Sequence, residues 1–304
     1  MLVRIMVEPQ QGAIYEDLLR VAHTAEDLGF DGFFRSDHYQ HIGTDAGYPG
    51  PTDAWVTLAG LARETHRIRL GTLVSPATFR LPGPFAIAVA TVDAMSGGRV
   101  DVGFGAGWFE TEHVSYGIPF QSGPERLARL AEYIAVVDGL WQTPPNETFN
   151  FEGRYFRLEG SPALPKPYQR PRPPIILGGQ GGPRSAAIAA RFADEYNVSF
   201  TTLTNTHNAF EAVRREPGGG RLVYSVGQSL YIGHDDQEAE RRASGTGQSA
   251  EVIAATALFG NPNRIVDKIG RLTDLGANRL YLQLPDLFDL DGLELFASDV
   301  LPQL

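Results

Sequence analysis

Short apolar runs alternate along this chain with segments whose apolar residues recur every three or four positions. Val3 to Val7 reads as a strand, and Ile14, Leu18, Val21, Ala22, Ala25 and Leu28 then line one helical face that Gly29 closes. Phe30 to Phe34 is the next strand. The same handoff returns near the far end, where Ile265, Ile269, Leu272 and Leu275 line a helix, Gly276 closes it, and Arg279 to Leu284 is a strand. Between them the pattern predicts helices over 53–64, 84–95, 124–141 and 183–191, and strands over 67–74, 100–105, 174–178, 194–199 and 222–232. Strands alternating with helices imply a parallel sheet covered on both faces. Eight such strands in 304 residues favour a (β/α)8 TIM barrel, an α/β fold in one domain over 1–304, rather than an open sheet.

One segment breaks the alternation. Residues 142–173 are proline-rich and carry a hairpin pattern from Phe149 to Phe156 with Glu152-Gly153 at the turn. This reads as an insertion over one barrel end, because strand–helix alternation resumes after it. The stretches 216–220 and 243–250 read as exposed loops.

Composition narrows the chemistry. A net charge of -10 argues against a nucleic-acid partner or an anionic membrane surface. The absence of cysteine removes disulfides, thiolate nucleophiles and cysteine-held metals, and fits a cytoplasmic protein. The first residues read as a strand rather than a signal peptide. Lys166 and Lys268, the only lysines, lie away from the strand ends where a barrel would place a Schiff base.

In a barrel the chemistry gathers at the C-terminal ends of the strands. Two of those ends are glycine-rich. The run Gly97-Gly98-Arg99-Val100-Asp101-Val102-Gly103-Phe104-Gly105-Ala106-Gly107-Trp108 ends a strand in alternating glycines, which lets a flat ligand approach the backbone. The run Ile175 to Ser185 takes a strand through Gly178-Gly179-Gln180-Gly181-Gly182 into a helix with Pro183 at its first position, a seat for a phosphate. Arg184 adds a charge for that phosphate. Glu8, Gln10 and Gln11 follow the first strand. His38, beside Asp37 after the second, is the candidate for proton transfer or ring contact. Trp108 is either a stacking surface or an ordinary lid tryptophan. Glu110 and Glu112 read as solvated glutamates at a helix start. His38 and His41 alone do not make a metal set, and no metal is expected.

These pieces in this order resemble the bacterial luciferase-like superfamily, and more closely its branch of deazaflavin (coenzyme F420) dependent oxidoreductases. The resemblance rests on Leu28 to His38, Arg69 to Val74, Ser96 to Trp108 with Tyr116-Gly117, and Gly178 to Ser185 with Ala193-Asp194. It implies hydride transfer between F420 and a small organic substrate. A monooxygenase using reduced flavin mononucleotide (FMN) and a noncatalytic cofactor-binding protein are the alternatives. Asp37 and His38 would lie beside the deazaflavin, Leu73–Val74 would be a non-prolyl cis peptide against its ring, and Ala106 and Gly107 would line the ring through backbone groups. Thr111 would reach the polar chain, and Gly181, Gly182, Arg184 and Ser185 would seat the phosphate. The acidic tail would run over arginines such as Arg80 or Arg184. His38 is the expected proton partner. The family's sugar-phosphate dehydrogenase has an acidic residue where this chain has Trp108, and its substrate-phosphate lysines are missing here, so a sugar phosphate is not implied. The family also implies a homodimer paired through the helices near 53–64 and 84–95.

Overall fold

The computed structural model describes residues 1–43 and 47–304. Among them, eight parallel strands close on themselves: β1 (Leu2–Val7), β2 (Gly32–Arg35), β3 (Arg69–Pro76), β4 (Val100–Gly105), β7 (Ile175–Gly178), β8 (Glu195–Ser199), β9 (Val223–Ile232) and β11 (Arg279–Gln283). Each pairs with the next, β9 pairs with β11, and β1 pairs with β11, which completes a (β/α)8 barrel. A short strand, β10 (Leu258–Gly260), extends the outer half of β9. Helices α1 (Tyr15–Asp27), α2 (Ala54–Glu64), α3 (Pro82–Ser96), α5 (Gly123–Gln142), α6 (Pro183–Phe192), α7 (Leu203–Arg214) and α10 (Pro262–Asp274) cover the barrel. The amphipathic faces expected from the sequence are the buried ones, as Leu18, Val21, Ala22 and Ala25 show for α1 and Ile265, Ile269 and Leu272 for α10. No helix among the described residues is long and apolar enough to cross a membrane.

The inside of the barrel is layered. At the N-terminal end Arg4, almost fully buried, donates to Asp31 at 2.7 Å, Asp101 at 2.8 Å and the Tyr281 hydroxyl at 2.9 Å. Arg69 also pairs with Asp101, and Arg279 with Glu195, whose other oxygen takes the Tyr281 hydroxyl at 2.8 Å. Above this plug Met6, Phe34, Leu73, Ile176 and Tyr281 form an apolar layer of their own. The C-terminal mouth then opens above it.

The segment 142–173 does not cap the mouth. Its hairpin, β5 (Phe149–Glu152) and β6 (Arg157–Ser161), packs on the outer side of α5, where the Glu132 carboxylate accepts from the backbone of Arg154 and Tyr155. Gln169 reaches Asp93 and the carbonyl of Val100, at the N-terminal end of β4. The insertion therefore braces the side and the opposite end of the barrel. The loop expected over 243–250 is largely helical: it holds the end of α8 (Asp236–Ala243), a 3-10 turn over Ser244–Thr246 and the first residue of α9 (Ala250–Thr256).

Candidate active site

The site starts where β2 runs out. Arg35, fully buried, turns its guanidinium onto Thr52 and Thr57 and onto the carbonyl of Ser36. Burial pulls its pKa down to about 10, against the pull of Asp37 and Asp53. These bonds fix the turn that carries Ser36, Asp37 and His38. Ser36 donates to the side-chain amide oxygen of Gln10 at 2.5 Å, which ties this turn to the end of β1.

Asp37 is buried, and its carboxylate is spoken for: Ser75 donates at 2.7 Å and Arg80 at 2.6 and 3.1 Å. Arg80 also grips Asp53 at 2.6 Å, and Asp53 caps α2 by accepting from the amides of Trp55 and Val56. Burial would raise the Asp53 carboxyl, but Arg80 and those two amides outweigh it and hold it below the usual carboxylate range. Arg80 thus locks β2, β3 and α2 together, with both terminal nitrogens engaged on carboxylates. Arg184 is exposed and makes no ion pair among the described residues.

His38 sits differently. Its Nδ1 lies 3.0 and 3.1 Å from the two oxygens of Glu112, and the backbone amide of Tyr39 donates to the same carboxylate at 3.0 Å. Glu112 is only 1% exposed, so the reading of it as a solvated glutamate is wrong. It comes from α4 (Glu110–Ser115), whose first turn points this one acid inward while Glu110 and Thr111 stay at the surface. A buried carboxylate that accepts at Nδ1 leaves Nε2 as the working atom of the ring. Among the described residues no group bonds Nε2. Trp108 stands edge-on to His38 with ring centres 5.8 Å apart, stacks on Phe109, and is 61% exposed.

The floor beside His38 is backbone. The Leu73–Val74 peptide is cis, and the Val74 side chain fills the space over Gly103, Gly105 and Gly178. A Cβ on Gly105 would lie 2.6 Å from Val74 Cγ2, so a residue larger than glycine there would collide. Gly178 ends a barrel strand yet stays exposed, with only the Val74 side chain near it. The turn through Ala106 and Gly107 is held from behind. His113 donates from Nδ1 to the Phe109 carbonyl at 2.7 Å and takes the Thr78 hydroxyl at 2.8 Å, while Arg126 donates to the Gly107 carbonyl at 3.0 Å.

At the far side of this floor, Gly181 has φ +75, and a Cβ there would lie 2.6 Å from Ala209 Cα, so the loop lies flat on α7. Its amide donates to Tyr196 at 2.8 Å. The first intrahelical bond of α6 runs from Ala186 to Gly182, which leaves the Arg184 and Ser185 amides unpaired at the helix start. A flat bare floor, an anion seat with free amides and a free guanidinium suit a planar ring carrying a phosphate.

Across the mouth from the floor lies Glu8. Gln283 donates to it at 2.8 Å, and Ser229 bonds Gln283 in turn. Burial pushes the Glu8 carboxyl up, against the opposing effects of His38 and the Gln283 bond. Glu8 follows β1 immediately, and the sequence named it only by its strand end. Glu112 and Glu8 are the acids of the mouth that the sequence named without assigning a role. The signal for Glu112 was its place five residues past a glycine turn on a short helix, which the periodicity did not separate from a surface helix. No group of three or more His, Asp or Glu among the described residues could hold a metal ion.

The luciferase-like monooxygenase family matches residues 1–249. An F420-dependent glucose-6-phosphate dehydrogenase from Nakamurella multipartita is 36% identical over 322 residues, covering 95% of this chain and 92% of that protein. The monooxygenase RslO1 from Streptomyces bottropensis superposes with a TM-score of 0.82 at 26% identity over 99% of both chains. An F420-dependent secondary alcohol dehydrogenase, solved with an F420–acetone adduct, superposes with a TM-score of 0.84 at 21% identity, over 99% of this chain and 98% of that one. The match over most of the chain, on a closed barrel with its site at the strand ends, makes this protein a member of the luciferase-like monooxygenase family.

Proposed function

We propose that the protein is an oxidoreductase that exchanges a hydride between the deazaflavin coenzyme F420 and a small organic substrate. The observation that carries this reading is the Glu112–His38 pair at the edge of a bare glycine floor. The identity to F420-dependent dehydrogenases supports the choice of cofactor. Val74, Ala106, Gly107 and Gly178 would hold the ring, with Leu73 behind it. Gly181, Gly182, Ser185 and Arg184 would hold the phosphate, with Thr111 and Trp108 near the outer chain. When bound, the coenzyme supplies a two-electron hydride acceptor or donor.

The protein's own part is orientation and proton handling. Glu112 fixes the tautomer and plane of His38, so Nε2 is the atom that takes or returns the substrate's proton. Asp37 acts behind it by fixing Arg80, and so the strand-end turn. We further read the protein as a cytoplasmic homodimer. The lack of cysteine supports the compartment, and exposed Val56 on α2 and Ile87 on α3 support the pairing faces.

The test is anaerobic hydride exchange with F420, using panels of alcohols, carbonyls and activated alkenes, in the wild type and in His38→Ala. Exchange that the variant loses supports the reading. RslO1 favours a second reading, an FMN-dependent monooxygenase. Oxygen uptake with reduced FMN, together with no exchange with F420, would replace the first reading with the second.

A further inference from the structure

The barrel mouth has two unlike halves. The glycine floor over β3, β4 and β7 is described above. The other half, over β9, β11 and β1, holds a cavity of about 560 Å³ that no cofactor role uses. Its inner wall is the chain of hydrogen bonds from Ser229 through Gln283 to Glu8, and Tyr231, Leu284 and Phe288 supply apolar surface. Glu8 and Gln11 line this cavity, and the Ser36–Gln10 bond ties that end of β1 to the turn that carries His38, so the cavity adjoins the proton-handling group. Among the described residues, the charges on its wall are Glu8 and Asp286, and no lysine or arginine lines it.

We infer that this cavity seats the substrate, and that the substrate is an uncharged molecule with a polar end on Glu8 and Gln283 and an apolar body on Tyr231, Leu284 and Phe288. A phosphate ester or carboxylate would bring a negative charge beside Glu8 with no countercharge on the wall. The protein therefore parts from its relatives named glucose-6-phosphate dehydrogenases in substrate class while sharing their fold. This inference rests on the oxidoreductase reading for what happens to the substrate, but the charge preference of the cavity stands apart from it.

The experiment compares two molecules of one shape, 4-hydroxypentanamide and 4-hydroxypentanoate, with glucose 6-phosphate as a third probe. Each is titrated calorimetrically into the protein with and without bound F420, in the wild type and in Glu8→Gln. The expected result is an affinity for the amide at least about tenfold above that for the carboxylate. Glucose 6-phosphate gives no detectable heat, and Glu8→Gln narrows the ratio. Equal binding of amide and carboxylate, binding of glucose 6-phosphate, a ratio unmoved by Glu8→Gln, or no binding of the amide would each overturn the assignment. Fluorescence of F420 in the same samples tests the underlying reading separately: loss of cofactor binding with the amide preference intact would sink that reading and leave the cavity assignment standing.

Discussion

The two ends of this barrel are built from the same kinds of residue and put them to opposite uses. At the N-terminal end Arg4, Asp31, Asp101, Glu195 and Tyr281 satisfy one another, and the apolar layer of Met6, Phe34 and Leu73 seals them from the mouth. At the C-terminal end Glu112 and Glu8 are also held, but each holds a partner whose other face is free: Nε2 of His38 in one case, the cavity wall in the other. A saturated network stabilises the fold and does little else. An ionisable group held on one side only is available for chemistry. Asp37 shows that position alone does not decide the matter, since it sits beside His38 and yet is saturated by Arg80 and Ser75.

Changes that exchange the two characters test this contrast. The largest effect is expected for His38→Ala, a fall in kcat of about 100- to 10,000-fold that exceeds the loss of stability from leaving the Glu112 carboxylate without its partner, measured by steady-state exchange and denaturant unfolding. Arg4→Ala should do the reverse. Removing one partner from a buried ionic network costs about 3–5 kcal/mol, read by denaturant unfolding, and turnover per folded molecule should stay as it was. A drop in kcat without a loss of stability would break the division between the two ends.

Glu112→Gln sharpens the contrast within the mouth. A hydrogen bond to a charged group contributes about 1.5–3 kcal/mol, so kcat should fall about 10- to 100-fold. In the His38→Ala background the same change should cost nothing further, because Glu112 acts through His38. Full additivity of the two would remove Glu112 from its positioning role. Gly181→Ala should be milder. An alanine in the left-handed region costs roughly 1–2 kcal/mol and must push against Ala209, so cofactor affinity should fall about tenfold with kcat preserved at saturation. The smallest effect is in pH dependence. The Glu8 carboxyl lies above its ordinary value of 4.5 in the folded protein, so the folded state binds more protons than the unfolded one just above that pH. Stability should therefore fall as pH rises through this window, and Glu8→Gln should flatten that slope in urea titrations.

Much of the frame was legible because amphipathic spacing and closing glycines mark long helices against buried strands. The barrel strands and α1, α2, α3, α5, α6 and α10 all carry that signal, and the two handoffs end in Gly29 (φ +89) and Gly276 (φ +94). Helices α7 and α8 were missed. The first buries Ala209, Phe210 and Val213 only in its second half, after a polar start through Thr204-Asn205-Thr206, and the second buries only Ala239 and Ala243, so the apolar stripe is short in one and weak in the other. The glycine floor and His38 were readable from their strand ends. Glu112 and Glu8 were not assigned roles, because burial of an acid depends on what tertiary packing sets against it. Trp108 was named, and its exposure beside His38 could not be read from sequence.

The central claim is that the bare floor and the α6 seat hold a deazaflavin beside a single working nitrogen on His38. Fluorescence titration of the purified protein with coenzyme F420 and with FMN, in both redox states and at low and high salt, tests it most directly. The expected result is preferential binding of F420, weakened by salt because its anionic groups would meet Arg184 at the start of α6. Preferential binding of FMN, or binding of neither, would contradict it.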